Sequence, residues 1–246
     1  MLFDLFRKRS TPRPIFAALG TDMHCHLIPA VDDGSKCTEE SIECLRTLQD
    51  VGYKKVFITP HFQHPRFPNQ EDDIVKRYEQ LLRDAEAAGI TIEIAGIAGE
   101  YRIDGGFKAR LENPRFLQVA DKYLLTELSL HQQMMGADEL IFEMQMNGSE
   151  IILAHPERYP YLNIDGTRME QLLNQGVLMQ VNVLSLGGFY GDEARRRAFA
   201  MIERGWVSFL GTDTHNSLYC QALREVSASR KVEKLLEKYK FMNDTL

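Results

Sequence analysis

The chain has 246 residues, 44% of them hydrophobic, and a formal net charge of −6 at pH 7. That length suits one α/β barrel domain, and the acidic balance argues against broad nucleic-acid contact, which needs a basic surface. No run approaches the roughly 18 apolar residues of a membrane span, so membrane contact is at most peripheral.

Met1 to Ser10 is mildly amphipathic and basic, without the continuous apolar stretch and small-residue cleavage site of a signal peptide. Residues 1–19 are read as an N-terminal extension, a flexible arm or docking segment, ahead of a single domain at 20–246. Seven short apolar runs follow, at 20–26, 56–61, 94–100, 123–127, 151–155, 179–183 and 207–215. They end in His24 and His26, His61, Glu100, Glu127, His155, Asn182-Val183, and Asp213 and His215; only the sixth lacks an ionisable group.

Between them lie helical patterns near 38–51, 70–89, 135–147, 166–175, 192–204 and 218–239, with apolar residues three or four apart, such as Ile42, Leu45 and Leu48. Gly52, Gly89, Gly148, Gly176 and Gly205 each follow such a run, where a helix-ending glycine belongs. Strict βα alternation implies a parallel sheet. Seven strands without a linker or composition shift predict a closed seven-stranded barrel. An open doubly wound sheet is the alternative, weakened because no Gly-x-Gly-x-x-Gly follows strand one.

An apolar strand that repeatedly delivers His, Asp or Glu at its C-terminal end predicts one site at one barrel mouth. In His24-x-His26 and Asp213-x-His215 the two residues share a strand face and can reach one ion. Five of the seven histidines fall at predicted strand ends. Glu100 and Glu127 close apolar strands, where an unpaired carboxylate is costly, so each coordinates metal or forms a salt bridge. Asp32 and Asp33, before Gly34, are either ligands or a plain turn ahead of a helix. Arg158, three residues after His155, either clamps a substrate phosphate through two parallel hydrogen bonds or pairs with a carboxylate such as Glu157.

Imidazole and carboxylate without thiolate suit manganese, iron, zinc or magnesium. The donors are too many for one ion, so two or three are expected, and phosphate-ester hydrolysis is the natural reaction class. The four cysteines, Cys25, Cys37, Cys44 and Cys220, form no Cys-x-x-Cys, and none has an Arg six residues on, as a cysteine-phosphatase loop requires. Free thiols fit a reducing cytoplasm. Cys25 points away from its flanking histidines and is read as a packed thiol.

In order and spacing these residues resemble the PHP (polymerase and histidinol phosphatase) metallohydrolase superfamily. Within it they are similar to the bacterial protein tyrosine phosphatases of capsule and exopolysaccharide operons. The stretches that carry the resemblance are Asp22-Met-His-Cys-His-Leu-Ile-Pro-Ala-Val-Asp-Asp-Gly34, Ile58-Thr-Pro-His61, Gly99-Glu-Tyr101, Ala154-His-Pro-Glu-Arg158 and Gly211-Thr-Asp-Thr-His-Asn216. The resemblance implies a distorted seven-stranded, TIM-like (β/α)7 barrel with a trinuclear site, first of all for manganese, with iron, zinc, magnesium or cobalt as alternatives. The implied ligands are His24, His26, Asp33, His61, Glu100, Glu127, His155, Asp213 and His215, with Glu127 bridging and Arg158 on the phosphate. It implies hydrolysis, by a metal-bridged hydroxide, of phosphotyrosine on the tail of a polysaccharide-assembly tyrosine kinase. Family members often carry another Arg just after the final His; here the next is Arg224, well along a helix. Two rival readings are a small-molecule phosphatase, such as one for histidinol phosphate, and a regulatory subunit with a vestigial site. The loop Phe62, His64, Pro65, Arg66 and Phe67 suits an aromatic ring and an acidic peptide.

Overall fold

The computed structural model describes residues 12–112, 114–162 and 164–246. Strands and helices alternate along the chain: β1 (Thr21–Asp22), α1 (Thr38–Asp50), β2 (Lys55–Ile58), β3 (His61–Phe62), α2 (Glu71–Ala87), β4 (Glu93–Ile97), β5 (Glu100–Arg102) and α3 (Phe107–Leu111). There follow β6 (Tyr123–Glu127), α4 (Ala137–Met146), β7 (Glu150–Ala154), α5 (Thr167–Asn174), β8 (Leu178–Asn182) and α6 (Val183–Gly187). The last are α7 (Asp192–Glu203), β9 (Val207–Gly211), α8 (Ser217–Ser227) and α9 (Arg230–Lys238). Gly52 and Gly176, just past α1 and α5, adopt φ of 108° and 79°, as the sequence pattern predicts for helix-ending glycines.

All strand pairs within the two sheets are parallel. One sheet has the order β1-β2-β4 and the other β3-β5-β6-β7-β8-β9. Two interruptions separate them. The predicted strand at 56–61 breaks at Thr59-Pro60, because proline has no amide to donate to a ladder. The strand at 94–100 breaks at Ala98-Gly99, where a Cβ on Gly99 would lie 2.7 Å from the Phe62 ring. Hydrogen bonds bridge both breaks and both edges. Thr59 N donates to Cys25 O (2.7 Å), Ala98 N to Ile58 O (2.8 Å), Glu100 N to Pro60 O (3.0 Å) and Asp213 N to His24 O (2.7 Å).

The alternation of strand side chains separates two apolar regions. Leu124, Ile151, Leu153 and Leu210 face outward and pack under the helices. Met23, Phe57, Tyr123, Leu125, Ile152 and Phe209 form a smaller inner cluster. Leu125 and Glu127 share a face of β6, so the apolar cluster floors the carboxylates at the strand ends.

Three differences from the sequence reading have local causes. The run at 218–239 is two helices, because the Ser229 side chain accepts from Val232 N and starts α9. Helices α3 and α6, of five residues each, carry too few turns to show a period. Residues 12–19 are not a detached arm. Phe16 and Leu19 are buried, Phe16 stacks on Tyr53 at 5.2 Å, and Arg13 pairs with Glu233 at 2.8 Å. Residues 1–11 of the proposed extension lie outside the described residues. Among those described, no helix is long and apolar enough to cross a membrane.

Candidate metal centre

The nine side chains expected as ligands converge on one mouth. Three overlapping groups have donor atoms all within 4.8 Å of one another: His24, His26, Glu100 and Asp213; His61, Glu100 and Glu127; and His26, His61 and His215. His155 Nε2 meets Glu100 Oε1 at 2.9 Å and Glu127 Oε2 at 4.0 Å. Asp33, the one half-exposed member, stands over the rim, with Oδ1 3.4 Å from His61 Nε2 and 3.7 Å from His215 Nε2. The other eight are buried.

Local structure explains the convergence. His24 and His26 lie just past β1, held by the bond from Asp213 N to His24 O and by one from His26 N to Thr214 O (2.9 Å). Asp22 ties the ends of β1 and β9 by accepting from Thr212 N (2.9 Å) and Thr212 Oγ1 (2.6 Å), and burial raises its pKa to about 6. His155 and Asp213 leave their strands in left-handed backbone, at φ 38° and 53°. Non-glycine residues rarely adopt it, and such strain clusters at functional sites. A Cβ on Gly34 would lie 2.2 Å from His26 O, so the turn after Asp33 closes on the histidine only with glycine.

A shell of acceptors fixes which ring nitrogen His24, His26 and His215 present. A carboxylate or amide oxygen only accepts, so the facing ring nitrogen carries the proton. Asp32 Oδ2 takes His26 Nδ1 (3.0 Å), Gln180 Oε1 takes His24 Nδ1 (2.8 Å) and the Asp213 carbonyl takes His215 Nδ1 (2.8 Å). Each leaves Nε2 for the cluster. Gln180 passes the order on through Asn182, whose Nδ2 donates to Asp213 Oδ2 (2.7 Å). Gln180 and Asn182 were not singled out from sequence, yet they are what the sixth strand contributes; their i, i+2 spacing inside an apolar strand was the available signal.

Asp32, the alternative to Asp33, is buried and also accepts from the amides of Gly34 and His61, both at 2.9 Å. Both its oxygens accept from protein donors, whereas Asp33 faces the Nε2 atoms of His61 and His215. Asp32→Asn should therefore keep the fold but lower metal affinity about 10- to 100-fold, because an amide can turn its NH2 to His26 and misplace the ring proton. Competition with a calibrated chelator measures this, and an unchanged affinity would remove Asp32 from the orienting shell.

The sequence reading gave the bridging place to Glu127; the donor geometry gathers more groups around Glu100. Glu100 belongs to two of the three groups and Glu127 to one. Glu100 Oε2 lies 3.3 Å from His24 Nε2, 3.3 Å from His26 Nε2 and 3.0 Å from His61 Nδ1. Glu127 reaches His61 Nδ1 at 3.4 Å.

The electrostatics suit cations. Burial opposes charge on every group here, but His24 and His61 hold Glu100 well below the usual carboxylate range. Burial, then the charge of Glu100, raises the pKa of Glu127. For His61 the two carboxylates outweigh burial and raise it to about 9. Burial and Arg158 lower His155 to about 4. Glu100 Oε2 and His61 Nδ1 are buried and, although 3.0 Å apart, make no well-directed hydrogen bond, a costly arrangement that coordination relieves. The donor set thus fits divalent ions.

Arg158 lies at the edge of the cluster, with Nη1 2.8 Å from Asp213 Oδ2 and its guanidinium 4.2 Å over the Tyr190 ring. Its carboxylate partner is Asp213; Glu157 instead accepts from Asn182 N (3.0 Å) and Ser185 Oγ (2.6 Å). Arg224 donates to Thr47 Oγ1 (2.7 Å) on α1 and is not part of the centre. Cys25 is buried with its thiol on Phe57 O, the packed role expected for it.

Parallel strands that deliver imidazole and carboxylate to one buried cluster form an α/β scaffold with a site that could hold metal, as metal-dependent hydrolases have. The chain belongs to the family described as capsular polysaccharide synthesis, CpsB/CapC, which it matches over residues 20–240. It is 27% identical over 196 residues to Tyrosine-protein phosphatase YwqE of Bacillus subtilis (strain 168), covering 79% of this chain and 77% of that protein. It is 28% identical over 202 residues to Tyrosine-protein phosphatase CpsB of Streptococcus pneumoniae, covering 79% and 82%. Among solved structures it resembles one from a study of YwqE and CpsB, described as unique metal-dependent tyrosine phosphatases. There the TM-score is 0.76 at 23% identity, over 90% of this chain and 96% of that one. The α/β fold is shared more distantly with a histidinol phosphate phosphatase of Lactococcus lactis, at TM-score 0.50 and 14% identity, over 90% and 94% of the chains.

Proposed function

We propose that this chain is a metal-dependent protein tyrosine phosphatase acting in the cytoplasm on the phosphotyrosine-bearing tail of a polysaccharide-assembly kinase. Family membership and the phosphatase relatives support the reaction class. The four cysteines, all free, support a reducing compartment. Taken with β2–β3 and β4–β5 as interrupted single strands, the fold reads as a seven-stranded TIM-like barrel, closed where Cys25 bridges Thr214. The phosphatase domain then runs over 20–246, with residues 12–19 packed onto it.

The observation that carries the reading is the sharing of buried Glu100 between two donor groups. One ion fits His24, His26, Glu100 and Asp213; a second fits Glu100, Glu127 and His155; a third fits His61, His215 and Asp33. Manganese is the first choice of metal. Divalent ions held there supply positive charge to a phosphoryl oxygen and acidify a water. The chain's own part is orientation: Asp32, Gln180 and Asn182 fix the ligands, and Arg158 offers a planar fork to phosphate oxygens. Aromatic rings flank the mouth, Phe67 stacked 5.5 Å from His61 and Tyr219 4.8 Å from His215. Arg66 lies 4.7 Å over Phe67 and 3.1 Å from Asp33. These suit an aryl phosphate on an acidic peptide.

Manganese-loaded protein should hydrolyse a phosphotyrosine peptide with kcat/KM about 10-fold or more above that for histidinol phosphate. The reverse order would make it a small-molecule phosphatase. Hydrolysis of neither at full metal content would leave a regulatory subunit.

A further inference from the structure

Arg102 lies two residues after Glu100 on β5, so both side chains leave the same face. Its register partner on β6 is Glu127, and Arg102 Nη1 stands 3.4 Å from Glu127 Oε1. Among the described residues that long contact is the one hydrogen bond the guanidinium makes. The side chain is 16% exposed. Arg110, on α3, differs: its guanidinium meets Glu71 and the Asn69 carbonyl and is occupied by protein.

A guanidinium has five N–H donors in a rigid fork. Held mostly out of water beside Glu127, with one long contact, it keeps donor capacity for an anion. Glu127 and Asp213 belong to different donor groups that share only Glu100. Arg102 touches the first of these carboxylates and Arg158 the second. The two arginines therefore bracket the centre, one at each end.

We propose that Arg102 is a substrate-binding residue that grips the phosphoryl group opposite Arg158, supplying the second phosphate clamp that Arg224 is placed too far away to give. The proposal rests on the phosphatase reading above. Geometry separates it from a purely structural role: a residue serving only to neutralise Glu127 would use its paired nitrogens on that carboxylate, and Arg102 presents one nitrogen at long range.

The test is inorganic phosphate binding by calorimetry on manganese-loaded protein, with metal content and hydrolysis of p-nitrophenyl phosphate measured on the same preparation. R102A should keep full metal content, weaken phosphate binding about 10-fold or more, and lower kcat/KM about 10- to 100-fold. R102K should recover part of the binding, since an ammonium keeps the charge without the fork. If R102A does not fold, R102K is read the same way: weaker phosphate binding at full metal content supports the clamp. Unchanged phosphate binding in a metal-replete variant overturns it. So does loss of metal, which would make Arg102 a positioning residue for Glu127. Wild-type protein that binds phosphate through Arg102 but cleaves no aryl phosphate would retire the phosphatase reading and leave Arg102 as a phosphate-binding residue only.

Discussion

Glu100→Gln should lose metal from two positions at once and lower kcat by more than about 100-fold, a larger effect than removing an outer-shell partner. Its Oε2 faces three imidazole nitrogens at 3.0 to 3.3 Å, and its Oε1 lies 2.9 Å from His155 Nε2. An amide offers one oxygen and no charge, so it cannot be shared between two cations. The amide NH2 would also donate to ring nitrogens whose lone pairs the metals need. Glu127→Gln removes a carboxylate from a single group and should cost less metal than Glu100→Gln. Elemental analysis of the two variants beside the wild type tests this order. Greater metal loss in Glu127→Gln would return the bridging role to Glu127.

Arg158→Ala should keep the metals and the fold while lowering kcat/KM about 30- to 200-fold, the equivalent of about 2–3 kcal/mol for one charge-assisted clamp. Asp213 retains two other contacts on Oδ2, from Asn182 Nδ2 at 2.7 Å and Tyr190 OH at 3.2 Å, so its position survives the loss. Arg158→Lys should recover only part of the rate. The competing role is a structural ion pair with Asp213, already present at 2.8 Å. A variant serving only that role would melt earlier while its folded fraction kept wild-type kinetics. Melting temperature, metal content and kcat/KM on one preparation separate the two; a stable, metal-replete variant with unchanged kinetics removes Arg158 from the substrate.

The positions of His24, His26, His61, Glu100, Glu127, His155, Asp213 and His215 were legible because each closes an apolar run, and parallel strands deliver their ends to one place. Helix boundaries came within one or two residues where a glycine ends the helix, as at α1 and α5. The rest depended on information that is not local. The shared place of Glu100 follows from the register of β3, β5 and β6, which no spacing encodes. Asp32 and Asp33 differ by one residue in sequence, yet the turn that Gly34 permits buries one under His26 and leaves the other at the rim. Gln180 and Asn182 are neutral, so a search for ionisable ligands passed over the strand whose side chains orient His24 and Asp213. Residues 12–19 read as an arm because Phe16 and Leu19 find their cover in distant segments.

Metal ions held by this cluster are expected to drive phosphotyrosine hydrolysis without a cysteine nucleophile. Cys37 is exposed, while Cys25, Cys44 and Cys220 are buried, so iodoacetamide reaches Cys37 first. Phosphotyrosine-peptide hydrolysis should therefore be followed through chelation, metal restoration and, separately, alkylation, with metal content recorded at each stage. Activity should vanish with the metal, return when manganese is restored, and survive alkylation. Full activity in metal-free protein, or its loss on alkylation with the metals still bound, would contradict the account.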